Sequence, residues 1–337
     1  MVLAPDCFGS VLSARQAAAA LAAGWAQAAP HVVTDCVPLS DGGPGFVEVL
    51  DSALGGRPVA VTARGPLGEP VAATVLLAAD GTAYCEAASV CGRALLATPE
   101  PWRASSAGVA DLLRAALEAG ARRVVVGVGG TASTDGGRAV VEALGAWPAE
   151  VALVAATDVD TPLLGPGGAA AVFGPQKGAD PAMVAALEER LTAWSHGQAV
   201  RPEADGAGAG GGLGYGLLVL GARREPGAAL VASAVGLRDR IAAASLVVTG
   251  EGRMDAASLR GKVVRGVAWT AQQVGRPVVV LAGRVEVGRR EYAAAGIEAA
   301  YSVDELTATP PSRDPQVAAD RLAAAAQRVA RTWTPSR

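Results

Sequence analysis

Apolar residues along this chain gather into short unbroken runs more often than they alternate with polar ones, and most runs end in glycines, hydroxyls and an acid. Val124-Val-Val-Gly-Val128 is the clearest case: it has no polar alternation, which reads as a strand buried on both faces, and it breaks into Gly129-Gly-Thr-Ala-Ser-Thr-Asp-Gly-Gly137. Helix-forming residues follow from Arg138 to Gly145, so Thr131 to Asp135 stand at a strand-to-helix turn. Unpaired backbone N–H groups at such a turn suit an anion. A tight turn that needs positive φ accounts for the same glycines. The spacing is neither the P-loop, since no Gly-Lys-Ser/Thr follows, nor the dinucleotide pattern G-x-G-x-x-G.

The same grammar repeats along the chain. Residues 2–4 predict a strand, residues 5–10 a loop and residues 14–28 a helix whose start is marked by Ser13 and Gln16 as an S-x-x-Q capping box. Residues 32–39 return as a second strand, ending in Ser40-Asp41-Gly42-Gly43-Pro44-Gly45 before another helix at Phe46. Asp6 and Asp41 would then stand at the carboxyl ends of neighbouring parallel strands, the edge at which open α/β sheets bind ligands. Each taken alone is equally a helix cap. Near Arg57 the style changes to short β-like segments at residues 59–62, 71–77 and 82–86, with Asp80-Gly81 as a hairpin signal.

A helix over residues 106–119 stops at Gly120, and residues 151–156 form another buried strand, which ends in Thr157-Asp158-Val-Asp160-Thr161. Asp180-Pro181 starts a helix with a good N-cap. Residues 204–216 are rich in glycine; the alanine and leucine among them favour a ligand-covering loop, running into a helix near Leu217, over a solvated linker. Residues 246–249 predict a strand, followed by Gly250-Glu251-Gly252-Arg253-Met254-Asp255 and a helix holding Lys262. Residues 277–282 and 299–302 predict two more strands, and a terminal Ala/Arg helix from Asp314-Pro315 covers one sheet face. This alternation specifies an α/β fold with parallel sheets.

Length and composition narrow the function. A chain of 337 residues suggests two domains. The change at Arg57 places residues 1–57 with 245–337 in one discontinuous domain and residues 58–244 in an inserted second one that carries the hairpin. Glycine is frequent at 43 residues and aromatics are scarce at 4%, which favours small ligands over polymers. With a net charge of −3 and scattered basic residues, no nucleic-acid footprint is present. Four cysteines without a C-x-x-C pair, and only two histidines, read as reduced thiols instead of a metal site. No uncharged apolar stretch of about 20 residues reads as a membrane span, and no secretory leader pattern is seen, so the expected location is cytoplasmic.

Taken together, the loops resemble the bacterial type I glycerate kinases over nearly the whole chain. The residues that carry the likeness are Ala4-Pro-Asp-Cys-Phe8, Pro38-Leu-Ser-Asp-Gly-Gly43, Gly65-Pro-Leu-Gly-Glu-Pro70, Gly127 to Gly137, Asp158-Val-Asp-Thr-Pro-Leu163, Val172-Phe-Gly-Pro-Gln-Lys-Gly-Ala179, Gly208 to Gly214, and Thr249 to Asp255 with Ser258-Leu-Arg-Gly-Lys262. The resemblance implies a two-domain α/β protein, with parallel-type sheets flanked by helices and one domain discontinuous. Such a protein closes over ATP, Mg²⁺ and D-glycerate and moves the γ-phosphoryl group to a glycerate hydroxyl. It implies Asp135, Asp158 and Lys262 as catalytic groups, with Asp135 and Asp158 also holding the metal. Asp6, Asp41, Gly42, Gly43, Arg253 and Asp255 would bind substrate; Gly129, Gly130, Thr131, Thr134, Lys177, Gly210, Gly211, Gly212 and Glu251 would bind nucleotide and phosphate. The partner is a small molecule, and the chain is a monomer or homodimer.

Departures from the family pattern fall inside the motifs. A-P-D-S-F-K-G-S has Cys7 for serine and Gly9 for lysine; D-G-G-E-G-T has Pro44 and Phe46; Thr134 and Thr161 stand for asparagines; Ala107 and Val109 replace the tyrosine and threonine of the usual Y-G-T-G loop; several tens of residues are missing between Gly145 and Val151. Phosphoryl transfer depends on positioning and on cations, so two readings stand: an active kinase, or a repurposed homologue that binds a ligand or partner through the same loops. Within the first, the loss of a charge at Gly9 and the aromatic Phe46 predict an acceptor larger or less anionic than glycerate. Hydride transfer lacks its G-x-G-x-x-G signature.

Overall fold

The computed structural model describes residues 1–334. In chain order the strands are β1 Val2–Leu3, β2 Asp35–Cys36, β3 Arg57–Arg64, β4 Pro70–Leu77, β5 Thr82–Glu86, β6 Arg123–Gly127, β7 Ala152–Ala156, β8 Arg223–Glu225, β9 Val247–Thr249, β10 Arg253–Met254, β11 Val278–Ala282, β12 Arg284–Val285 and β13 Ala299–Ser302. Contacts divide the chain into two compact units, one of Met1–Ser40 with Ala228–Arg337 and one of Asp41–Gly227. Among the described residues no helix is long and apolar enough to cross a membrane.

The unit that holds Met1–Ser40 contains a five-stranded sheet in the order β13-β11-β9-β1-β2, parallel throughout. Its inner strands β1, β9 and β11 are buried at every residue, because helices cover both sides of the sheet. Helix α1 (Ala14–Ala28) and helix Pro315–Trp333 lie on one face, where Leu21, Trp25, Leu322 and Val329 pack with Leu3, Val248 and Val279. Helix Val263–Gln273 brings Val264 and Ala268 to Val280 and Ala282. The capping box at the start of α1 forms: Gln16 N–H donates to Ser13 Oγ and Ser13 N–H to Gln16 Oε1. Gly24 in mid-helix is explained by packing, since a Cβ there would collide with the Ala323 carbonyl of the terminal helix. The expected strand over residues 32–39 shrinks to Asp35–Cys36. It is an edge strand, and although Val32 packs on the core, Val33 stands 84% exposed, so the start of the apolar run is not held as a strand buried on both faces.

The unit of Asp41–Gly227 contains a six-stranded sheet in plain sequence order, β3 to β8. The pairs β3–β4 and β4–β5 are antiparallel and the rest parallel, which is the change of style seen near Arg57. The Asp80-Gly81 turn joins β4 to β5, with Thr82 N–H donating to Asp80 Oδ1 at 2.9 Å and Gly81 at φ +81°. Helix Ala107–Glu118 buries Val109, Leu112 and Leu113 against Val124 and Val126 of β6. Helix α2 (Phe46–Leu54) also belongs here, with Phe46 edge-on to Tyr84 of β5 at 6.1 Å between ring centroids. The helix expected near Leu217 begins earlier, at Leu213, because Gly214 and Gly216 serve close approach and not flexibility: a Cβ on either would strike the backbone of Gly206 or Gly137. The α/β class with parallel-dominated sheets and flanking helices holds.

Candidate active site

In the unit of Asp41–Gly227, the loops after β5, β6 and β7 leave the same, carboxyl, edge of the parallel strands. The loop after β6 is built on glycine for two reasons. Gly130, Gly136 and Gly137 take φ of +77°, +70° and +67°, which side chains disfavour. Gly127 and Gly129 instead make room for the neighbouring loop: a Cβ on Gly127 would meet Gly42 O at 2.7 Å and the Phe46 ring at 2.9 Å, and one on Gly129 would meet Gly43 Cα at 2.7 Å. Gly129 N–H donates to Gly42 O at 2.9 Å. Gly42 and Gly43 are thereby brought against Gly129, and Pro44 against Gly130; within its own loop Asp41 Oδ1 accepts from Gly43 N–H at 3.1 Å.

Lys177 is the electrostatic centre of this region. It is 5% exposed, and its Nζ donates to Ser133 O at 2.5 Å and to Thr131 Oγ1 at 3.4 Å. Burial lowers its pKa to about 8, against the pull of Cys91 and Asp135. Thr131 Oγ1 in turn donates to Gly210 O at 2.8 Å. Gly210, Gly211 and Gly212 are three successive left-handed residues. A Cβ on Gly211 would press on Lys177 Nζ at 2.5 Å, so glycine there lets the ammonium lie against the main chain. The hydroxyls of Ser133 and Thr134 are fully buried, that of Ser133 beside the Cys91 thiol.

Asp135 is held by three donors: Ser106 N–H and Oγ–H reach Oδ2 at 2.9 and 2.8 Å, and Gly137 N–H reaches Oδ1 at 3.1 Å. It braces the start of helix Ala107–Glu118 against the turn. Asp158 follows β7 and is partly exposed. Its neighbour Asp160 pairs with Arg224. Two residues of this region were not signalled in the sequence. Arg190, on helix Pro181–Ser195, passes under the turn, donating to Thr134 O and to Trp102 O and stacking 4.6 Å from the Trp102 ring centroid. Glu86, the last residue of β5, accepts at Oε2 from Gly45 and Val47 N–H. Both act over long stretches of chain, so no local pattern marks them.

In the other unit the strand order reverses at β1: β2 lies to one side and β9, β11 and β13 to the other. The crevice of a parallel sheet opens at such a point. The loops that leave β1 and β9 there carry Asp6 and Glu251, which are 8% and 9% exposed, and Asp6 N–H donates to Gly250 O. Gly250, Gly252 and Gly283 permit the loops to touch, since a Cβ on each would strike Leu281 O, Gly9 N and Gly252 O respectively. Arg253 pairs with Asp255 at 3.3 Å, and Asp255 Oδ1 accepts from Ala257 N–H at 2.8 Å. Lys262 stands at the N-cap of helix Val263–Gln273. The sequence-named residues thus form two groups, one in each unit.

Phe46 corrects one expectation. It is fully buried in the core against Tyr84 and Gly127, so it lines no ligand pocket and gives no ground for a larger or less anionic acceptor. Gly9 is exposed, at φ +62°, with nothing within 4 Å of a notional Cβ.

The model of the glycerate kinase family matches residues 1–150 and 146–334. An uncharacterized protein of Mycobacterium tuberculosis is 48% identical over 322 residues, spanning 90% of this chain and 84% of its own. The glycerate kinase of Bacillus subtilis is 36% identical, and the glycerate 2-kinase of Escherichia coli 34%, each alignment covering 90% of both chains. A solved structure described as glycerate kinase 2 from Salmonella typhimurium LT2 superposes with a TM-score of 0.75 at 33% identity, over 98% of this chain and 97% of that one.

Proposed function

Because the chain belongs to the glycerate kinase family, we propose that it transfers the γ-phosphoryl group of ATP to a hydroxyl of D-glycerate or a related small hydroxy acid. The observation that carries this reading is the Lys177 ammonium, fixed in a buried position between the turn at Thr131 to Ser133 and the glycines at 210–212. Phosphoryl transfer needs charges and N–H donors set in place in advance, in surroundings where water does not screen them. In this reading Gly129, Gly130, Thr131, Thr134, Lys177, Gly210, Gly211 and Gly212 face the phosphates, with Glu251 toward the nucleotide. Asp6, Asp41, Gly42, Gly43, Arg253, Asp255 and Lys262 serve the acceptor, and the two compact units act as two domains, the one with both chain ends being discontinuous.

Mg²⁺ is usually held by one or two carboxylates, with substrate phosphates and water completing its shell. Asp158 and Asp135 are the carboxylates that fit this demand. Asp158, partly exposed in the loop that follows β7, is the one we assign to hold the ion or to take the acceptor's hydroxyl proton, while Asp135, bound by Ser106 and Gly137, keeps the turn in shape. When bound, the ion would offset phosphate charge. A second reading, ligand binding without turnover, draws on Gly9, which supplies no cation in the loop after β1. Incubating the full chain with Mg-ATP and a panel of small hydroxy acids and polyols, and following ADP release, separates the two. Acceptor-dependent ADP supports the kinase, whereas acceptor-induced thermal stabilisation with no ADP supports binding alone.

A further inference from the structure

Helix α2 has no cap of its own. Its N-cap residue is Gly45, left-handed at φ +87° and without a side chain to accept from the first turn. Glu86 fills that role from another element: its Oε2 accepts from Gly45 N–H at 3.1 Å and from Val47 N–H at 3.3 Å. The carboxylate is itself well anchored. Glu86 ends β5 in register with Gly127, its carbonyl accepts from Ser89 Oγ–H at 2.7 Å, and Ala87 N–H donates to Gly127 O at 3.0 Å. Burial, with a smaller contribution from Glu48, raises the Glu86 pKa against the pull of these helix N–H groups.

We infer that Glu86 is the positioning residue of the loop from Asp41 to Gly45: gripping the start of α2 from the sheet edge, it sets where Gly42 and Gly43 stand against the glycine turn after β6. The inference rests on the proposed function for its catalytic consequence. The route is continuous in space. Glu86 fixes Gly45 and Val47; the short Gly43-Pro44 link carries that position to Gly42; and Gly42 O holds Gly129 N–H at 2.9 Å while Pro44 packs on Gly130. The same carboxylate occupies the positive end of α2, so this helix start is reserved for Glu86 and a substrate anion is held elsewhere.

Glu86→Ala and Glu86→Asp in the full chain test the inference, the second retaining the charge but withdrawing it by one methylene. Amide hydrogen exchange is read at Gly45, Val47 and Gly129, and the KM values for glycerate and for ATP are read separately. Loss of a charge-assisted acceptor should speed exchange about tenfold or more at all three amides in Glu86→Ala, and by less in Glu86→Asp. The KM for glycerate should rise about tenfold, and by more than that for ATP, whose phosphates the Gly129 turn faces in the proposed reading. Faster exchange at Gly45 and Val47 with Gly129 unchanged would reduce Glu86 to a local cap and overturn the inference, as would equal rises in both KM values. If Glu86→Ala does not fold, Glu86→Asp decides by the same amides. A wild-type chain that turns over no glycerate would remove the proposed function, leaving the Gly129 exchange to decide the positioning role.

Discussion

Replacing Lys177 with methionine keeps most of the stem's volume and deletes a buried ammonium. The folded-state pKa of Lys177 is lowered to about 8 from an ordinary 10.5, with burial the leading cause and Arg93 adding to it, against Cys91 and Asp135. Between those values the unfolded chain binds a proton that the folded chain does not, so this lysine makes stability rise with pH across that window and contributes a constant penalty below it. A shift of this size, at 1.36 kcal/mol per pKa unit, predicts that wild-type stability gains about 2 kcal/mol on the variant between about pH 7 and 9.5. At pH 7 itself the variant loses the bond to Ser133 O as well as the penalty, and the two effects, each of a few kcal/mol, oppose one another. The informative quantity is therefore the change of the difference with pH. Urea denaturation of both proteins at several pH values, with chelator and without nucleotide, reads it; a wild-type-minus-variant difference that stays flat from pH 7 to 9.5 refutes the reasoning. On activity, losing a fixed cation beside the turn should reduce kcat by about a hundredfold.

Asp135→Asn turns one acceptor oxygen into a donor facing Ser106 or Gly137 and should cost about 1–3 kcal/mol in thermal denaturation, whereas Asp158→Asn should abolish turnover with the melting temperature held; equal stability losses would contradict this division of roles. Gly24→Ala, which in a free helix would stabilise, should destabilise by about 1–3 kcal/mol because its Cβ meets the Ala323 carbonyl, and a rise in melting temperature would show the helix pair to be looser than described. Cys85 and Cys91 are buried with their thiols pushed up to about 12, so a thiol reagent at pH 8 should reach only Cys7 and Cys36 until the protein is unfolded. Phe46→Thr should cost about 3 kcal/mol or more as a core deletion; an unchanged melting temperature with altered acceptor choice would return Phe46 to the site.

Local chemistry was legible where it was sufficient. The Ser13–Gln16 capping box, the Asp80-Gly81 turn and the unbroken apolar run of β6 each depend on residues a few positions apart, and each forms as read. Site chemistry that acts at a distance was not legible. Glu86 accepts from a helix N-cap residue, Gly45, 41 positions before its own place in the chain, and Arg190 supports Thr134 from 56 positions beyond it. The glycines at 206–216 hid the start of a helix because glycine signals a turn and a tight backbone contact equally well, and only the packed neighbours distinguish them. Phe46 misled for a related reason: a position next to a ligand-type loop can point into the core, and which way it faces is settled by Tyr84 and Gly127, not by the motif.

The central claim is transfer of the ATP γ-phosphoryl group to a small hydroxy acid. Following the wild-type chain and Asp158→Asn by ³¹P NMR, with Mg-ATP and D-glycerate or the best acceptor of the panel, tests it most directly. The account predicts a new phosphomonoester signal that grows as ADP forms in the wild type and is absent in the variant. ATP left intact by the wild type with every acceptor, or ADP released with inorganic phosphate and no phosphomonoester, would contradict it.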